Sequence, residues 1–130
     1  MSERNGFIVR NNILVDYSGP GGDVAIPDGV TEIGPFAFSD YDDPDTVKYK
    51  NLRSVIIPEG VTKIGDFAFV GRYDLVSVTI PESVNWIGEE AFGECTGFFS
   101  VTVPNSDAHI HPRAFWGCTF AAAPADGSDK

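Results

Sequence analysis

Leu52-Arg53-Ser54-Val55-Ile56-Ile57-Pro58-Glu59-Gly60-Val61-Thr62-Lys63-Ile64-Gly65-Asp66-Phe67-Ala68-Phe69 reads as three short pieces joined by turns. In the first piece, Leu-x-x-Val-x-Ile has the alternation of a short strand whose Val55 and Ile57 share one face. Pro58 ends it, because proline has no N–H for a ladder. Gly60 suits the turn that follows, and Val61 and Ile64, three apart, return to the interior. In Ile64-Gly65-Asp66-Phe67-Ala68-Phe69 the residue after the glycine is a carboxylate, favoured in a first helical turn. One helical turn is therefore expected there, with Ala68 and Phe69 facing inward.

The same stretch recurs on both sides. Ile26-Pro27, Ile57-Pro58, Ile80-Pro81 and Val103-Pro104 are spaced by 31 (57 − 26), 23 (80 − 57) and 23 (103 − 80) residues. The first gap is one repeat plus eight residues, which the segment from Ser39 to Lys50 supplies as an insertion. Strand-like runs precede the later prolines at Leu75–Ile80 and Phe98–Val103, and a shorter one, Val24-Ala25-Ile26, precedes the first. Ile33, Ile64, Ile87 and Ile110 keep phase, as do Ala37-Phe38, Ala68-Phe69, Ala91-Phe92 and Ala114-Phe115. Gly34, Gly65 and Gly88 are followed by Pro35, Asp66 and Glu89, while the fourth unit has His111 and Pro112.

One unit cannot bury both faces of its strand and turn, but stacked units can. The expected fold is an α/β repeat solenoid: a right-handed coil with a parallel sheet of short strands on one side and short helical turns on the other. A single domain over residues 1–130 is expected. Phe7–Arg10 and Ile13–Tyr17 flank Asn11-Asn12 and read as a β-hairpin cap over 7–17. Four repeats then fill 24–118, and 121–130 reads as a flexible tail. Either Phe120 and the alanines after it cover the last coil, or that coil stays open and favours an end-to-end homodimer or a longer parent chain.

The formal net charge of −10 disfavours nucleic acid and anionic lipid as partners. No apolar run approaches the roughly 20 residues of a membrane helix, so no membrane insertion is expected. Met1-Ser2-Glu3-Arg4-Asn5-Gly6 lacks the marks of a signal peptide, which fits either a cytoplasmic protein or one whose leader has been removed. Two cysteines, Cys95 and Cys118, sit at the same repeat position. Adjacent coils bring them within disulfide reach, although reduced core thiols are the simpler expectation.

The motif Leu-x-x-Val-x-Ile-Pro-x-x-Val-x-x-Ile-Gly-x-x-Ala-Phe resembles the BspA-type leucine-rich repeat, over about Val24 to Cys118. Asp107 in place of the core valine and His111 in place of glycine depart from it in the fourth unit. The resemblance implies a bacterial surface or secreted binding module, associated with adhesion to host proteins or to other cells. Its ligand would be a protein of unspecified identity.

Outward positions of the strands form columns: Asp23, Ser54, Ser77 and Ser100; Ala25, Ile56, Thr79 and Thr102; and Gly22, Arg53, Val76 and Phe99. Repeat proteins commonly bind on such a face. Ile56, Val76 and Phe99 carry the most information, since outward apolar groups form contact patches. The candidate partner-binding residues are Arg53, Ile56, Val76, Thr79, Phe99 and Thr102, with Tyr41 and Tyr49 of the insertion. Asp28, Glu59, Glu82 and Asn105 form a row that reads as solvated turn residues. The acidic insertion lacks the glycine and twelfth-position glutamate of a calcium loop. His109 and His111 alternate on one outer side, without zinc-ligand spacing. No nucleophile elbow, phosphate loop or dinucleotide fingerprint occurs, so neither an enzyme nor a cofactor is expected. The alternative to a binding module is a structural or oligomerising repeat segment of a larger assembly.

Overall fold

The computed structural model describes residues 2–4, 6–19, 21–39, 52–97 and 101–118. Among these residues ten strands follow one another: β1 (Ser2–Arg4), β2 (Phe7–Arg10), β3 (Ile13–Tyr17), β4 (Gly22–Ala25), β5 (Glu32–Ile33), β6 (Leu52–Ile56), β7 (Lys63–Ile64), β8 (Ser77–Thr79), β9 (Trp86–Ile87) and β10 (His109–Ile110). They form two sheets, one ordered β1-β2-β3-β5-β7-β9-β10 and the other β4-β6-β8.

The hairpin β2–β3 opens the first sheet. Asn11 and Asn12 both adopt positive φ, 53° and 66°. A two-residue turn of this kind needs that at both positions, and asparagine tolerates it better than most residues. β1 adds to β2 antiparallel. On its other edge β3 runs parallel to β5, with Leu14 opposite Ile33. The hairpin thus passes the ladder directly to the first repeat.

The proline-terminated strands run parallel and in phase. Val24, Val55 and Val78 face one another across β4, β6 and β8, as do Ala25, Ile56 and Thr79. A register shift between Gly22 and Asp23 sets Gly22 against Leu52, so the expected Gly22–Arg53 column is not formed. Val76 does lie beside Arg53, whose carbonyl accepts the Val76 N–H at 2.8 Å. No strand pairing joins Val101–Val103 to β8 among the described residues, although Val101 and Val103 are buried; residues 98–100 lie outside the described set.

A second sheet arises where only an inward dip was expected. The residues before and at each repeat isoleucine form β5, β7, β9 and β10, parallel and in register: Glu32, Lys63, Trp86 and His109 make one column and Ile33, Ile64, Ile87 and Ile110 the other. Each strand is two residues long.

The helical turns expected at Ile-Gly-x-x-Ala-Phe are not present; the described residues contain no helix. The backbone explains why. Phe36, Phe67 and Glu90 sit at φ 62°, 60° and 47°, a left-handed conformation that ends any right-handed helix. Within a unit, alternate N–H groups close four-residue turns: Ala68 donates to Gly65, Val70 to Phe67 and Arg72 to Phe69. The intervening N–H groups donate to the next unit instead: Phe67 to Glu89, Phe69 to Ala91 and Gly71 to Gly93. A helix would keep all of them. Proline is favoured at the second position of a turn whose third residue has positive φ, so Pro35 fits the observed geometry as well as the expected one.

The interior lies between the two sheets and these turns. Its spine is a file of rings: Phe7–Tyr17 at 4.6 Å, Tyr17–Phe38 at 5.3 Å, Phe38–Phe69 at 4.8 Å, Phe69–Phe92 at 5.0 Å and Phe92–Phe115 at 5.4 Å. The aliphatic residues Leu52, Val55, Val61, Ile64 and Leu75 around it are fully buried. Gly88 allows the packing of neighbouring turns, since a Cβ there would strike the side chain and backbone of Asp66.

The fourth unit is offset by one residue at two turns, while Ile110, Ala114 and Phe115 keep the phase of the other units. The turn that closes on Val61 and Val84 closes on Ala108, which is buried, while Asp107 is exposed and donates its N–H to the Asn105 side chain. Glu90 donates to Arg113 rather than to the expected neighbour, Pro112. Arg113 has no left-handed φ, and its N–H is accepted by Nδ1 of His111 at 3.0 Å. The side chain that replaces glycine thus takes an N–H that points to the next unit in the other three.

Candidate partner-binding surface

The β4–β6–β8 face is a short parallel platform on which Val24, Val55 and Val78 point inward and the residues flanking them point outward. Parallel pairing keeps corresponding residues side by side, so the repeat spacing becomes a spatial row. Along one row Asp23, Ser54 and Ser77 stand together. Ser54 Oγ donates to Asp23 Oδ1 at 2.8 Å, and Arg53 Nε reaches the same oxygen at 4.0 Å. Both charged groups are about three-quarters exposed, so the pair orients Arg53 without adding much stability.

Along the next row Ala25, Ile56 and Thr79 are exposed, and Ile56 retains 52% of its surface. Val76 is half-buried beside Arg53. Thr102 is exposed, and with Val78, Thr79, Ile80, Val101 and Pro104 it lines an open groove of about 310 Å³ between β8 and the fourth unit. Arg53, Ile56, Val76, Thr79 and Thr102 therefore lie along one side of the molecule, with Ile56 as the apolar centre. Phe99, Tyr41 and Tyr49 lie outside the described residues.

The remaining sequence candidates do not gather. Asp28, Glu59 and Glu82 are exposed turn residues, and the Asn105 amide donates to the Val84 carbonyl. His109 and His111 part company: His109 stacks on Trp86 with ring centroids 4.2 Å apart, whereas His111 is engaged by the Arg113 backbone. Cys95 and Cys118 are free thiols in equivalent places, donating to the carbonyls of Phe69 (3.3 Å) and Phe92 (3.0 Å). Burial pushes both thiols up, Cys118 to about 11 and Cys95 further. Their chemistry at neutral pH is that of packed, protonated core groups.

Three features escaped the sequence reading. The outward column of the second sheet is continuous: Lys63 Nζ lies 3.9 Å from Glu32 Oε2 and 5.9 Å from the centre of the Trp86 ring, whose other neighbour is His109. These four residues each precede a repeat isoleucine, so the column is recoverable from spacing once the dipeptides are known to be strands. The Arg72 side chain is buried, with Nη2 3.3 Å from Asp74; no periodic signal marks it. On the turns, Phe36 and Phe67 stack outward at 5.2 Å, hidden in the sequence among a surplus of inward phenylalanines.

Comparison with known proteins agrees with this geometry. A family profile described as BspA type leucine rich repeat region (6 copies) matches residues 43–123, more than half of the chain. No curated protein matches. Among solved structures, a leucine rich cell surface protein from Faecalibacterium prausnitzii A2-165 is similar, with 25% sequence identity and a TM-score of 0.58. The similarity covers 92% of this chain but 38% of that one, so the chain spans well under half the length of its structural neighbour. Within the described residues no helix is long and apolar enough to cross a membrane.

Proposed function

The chain belongs to the BspA-type leucine-rich-repeat family, and from that premise we propose that it is a protein-binding repeat module of a cell-surface or secreted protein, engaged in adhesion. The observation that carries the reading is the β4–β6–β8 face, where Ile56 stands 52% exposed in register with Thr79, on the strand whose other end carries Arg53 beside Val76. An apolar centre within a polar row on rigid strands is the arrangement of a small contact patch. The outward hydroxyls of Ser54, Ser77, Thr79 and Thr102 supply hydrogen-bonding groups around it. The similarity to a leucine rich cell surface protein supports the location. Tyr41, Tyr49 and Phe99 complete the proposed set from sequence position alone.

Affinity capture from host and self lysates tests this, comparing the wild type with Ile56→Ser and Val76→Ser. Loss of a captured protein in both variants, at unchanged melting temperature, is expected. If every partner survives both substitutions, the sheet face is not the binding surface.

A second reading, end-to-end pairing through the fourth unit, is favoured by one observation: Trp116 is 47% exposed beside Phe115, the last ring of the interior file. Sedimentation as a function of concentration separates the two readings. A dimer abolished by Trp116→Ser supports pairing, and a monomer at all concentrations removes it.

A further inference from the structure

Phe36 and Phe67 occupy a repeat position where neither the backbone nor the core calls for an aromatic ring. Both have left-handed φ, 62° and 60°, which asparagine or glycine adopts with less strain than a bulky side chain. Both point outward: Phe36 is 47% exposed and Phe67 is half-buried. Their rings stack 5.2 Å apart and 13° from parallel, outside the file formed by Phe38 and Phe69. Strained residues that the core does not require are characteristic of contact sites.

The surroundings select the partner. The adjacent row is Pro35, Asp66 and Glu89, and Asp66 Oδ1 accepts the Glu89 N–H at 2.9 Å, which fixes that carboxylate beside Phe67. Further along the row of Phe36 and Phe67 stand Glu90 and Arg113. There the chain supplies its own arginine: Arg113 Nη2 is 3.2 Å from Glu90 Oε2, and its guanidinium lies 5.2 Å from the Trp116 ring centre. The Phe36–Phe67 end has the aromatic rings and the carboxylates, in a chain of net charge −10, and no cation is paired with either carboxylate among the described ion pairs.

We propose that the outward Phe36–Phe67 stack, with the Asp66 and Glu89 carboxylates beside it, is a second docking surface, separate from the β4–β6–β8 face, for an arginine-bearing basic segment of a protein partner. A guanidinium is planar and weakly hydrated, so it can lie on a phenyl face while its N–H groups meet a carboxylate; an ammonium makes the second contact but stacks less well.

The test is fluorescence anisotropy with a short labelled peptide of alternating arginine and glycine, set against its lysine counterpart. The full chain is compared with Phe36→Asn/Phe67→Asn, Asp66→Asn and Ile56→Ser. The arginine peptide is expected to bind more tightly than the lysine peptide. The double asparagine variant is expected to weaken it by about tenfold, a loss in the range of one desolvated cation–π contact. That variant should melt within a few degrees of wild type, because relief of the left-handed strain offsets the lost ring contact. Asp66→Asn keeps the acceptor for the Glu89 N–H while removing the charge, and should also weaken binding; it decides the matter if the double variant does not fold. Ile56→Ser should bind as wild type. Equal affinity for the two peptides, unchanged binding in the asparagine variants, or loss in Ile56→Ser overturns the proposal. So does a wild-type dimer that the double variant abolishes, since the occupant is then a second copy of the chain.

Discussion

The rings of Phe38 and Phe69 lie 4.8 Å apart and 3° from parallel, although 31 residues separate them in the chain. Both are fully buried, and each backbone N–H reaches the next unit: Phe38 donates to Ala68 and Phe69 to Ala91. Ring packing and the turn ladder therefore reinforce each other at the same residue. Phe69→Ala should cost about 3–5 kcal/mol, the range for emptying an aromatic site in a core. Phe67→Ala, two residues away but outward, should cost no more than about 1 kcal/mol. Urea denaturation of the two variants checks the difference, and equal losses would contradict the assigned facing.

Gly65 lies where a Cβ would come within 2.8 Å of the Ile33 carbonyl oxygen and 3.0 Å of the Pro35 nitrogen. Both are backbone atoms of the preceding turn, so neither yields as a side-chain tip does. Gly65→Ala should destabilise by about 1–3 kcal/mol through this overpacking. Gly29→Ala, at φ 98° with open space around its Cβ position, isolates the purely conformational cost for comparison. A Gly65→Ala variant as stable as wild type would mean that neighbouring turns are further apart than described.

The thiols make stability pH-dependent at the alkaline end. The folded state holds the Cys118 proton up to about pH 11 because the thiol is buried, against an ordinary thiol value of 9.0. Above the ordinary value the unfolded chain binds fewer thiol protons than the folded one, so stability falls as pH rises. The contribution is complete below pH 9 and is lost on approach to pH 11; Cys95, raised further, extends the loss. Denaturation midpoints between pH 8 and 11 should fall more steeply in the wild type than in Cys95→Ala/Cys118→Ala. Native alkylation should label Cys118 before Cys95, faster with each step in pH.

His111 supplies the acceptor for the Arg113 N–H at the fourth turn. His111→Leu keeps the bulk and removes the acceptor, and should cost about 1 kcal/mol, the usual value of one such hydrogen bond. The urea midpoint should shift with no change in slope, since the surface exposed on unfolding stays the same. A stability unaffected by the substitution would show that solvent satisfies the Arg113 N–H equally well.

Most of the repeat was legible from residue spacing because its governing residues are chemically singular. A proline after each strand, an alanine before each core phenylalanine and isoleucines in phase leave few arrangements other than parallel strands in register. What sequence misjudged was decided by backbone angles with no compositional mark. Pro35, Asp66 and Glu89 suit a helix start and the second position of a tight turn alike. The left-handed residues after them are Phe36, Phe67 and Glu90, none of which advertises positive φ as glycine does. The second sheet escaped for a different reason: its repeat strands span two residues, too short for alternation to register. On the candidate surface, the positions of Ile56 and Thr79 followed from the strand period, whereas the shift at Gly22 breaks the outer column in a way that no residue pattern foretold.

The slip at Ala108 and Arg113 sets the terms on which such a molecule changes length. Between the second, third and fourth units several crossing bonds recur one repeat later: Phe69 and Gly71 donate to Ala91 and Gly93, and Phe92 and Glu94 donate to Ala114 and Trp116. A whole rung can be added or deleted there with every donor still meeting an acceptor, whereas any fractional change strands a row of them. At Ala108 and Arg113 that interval is broken, and an imidazole of the same unit takes an N–H that elsewhere crosses to the next, so a junction made there would match fewer donors to acceptors. Duplication of a whole repeat between the second and fourth units would lengthen the sheet face in discrete steps.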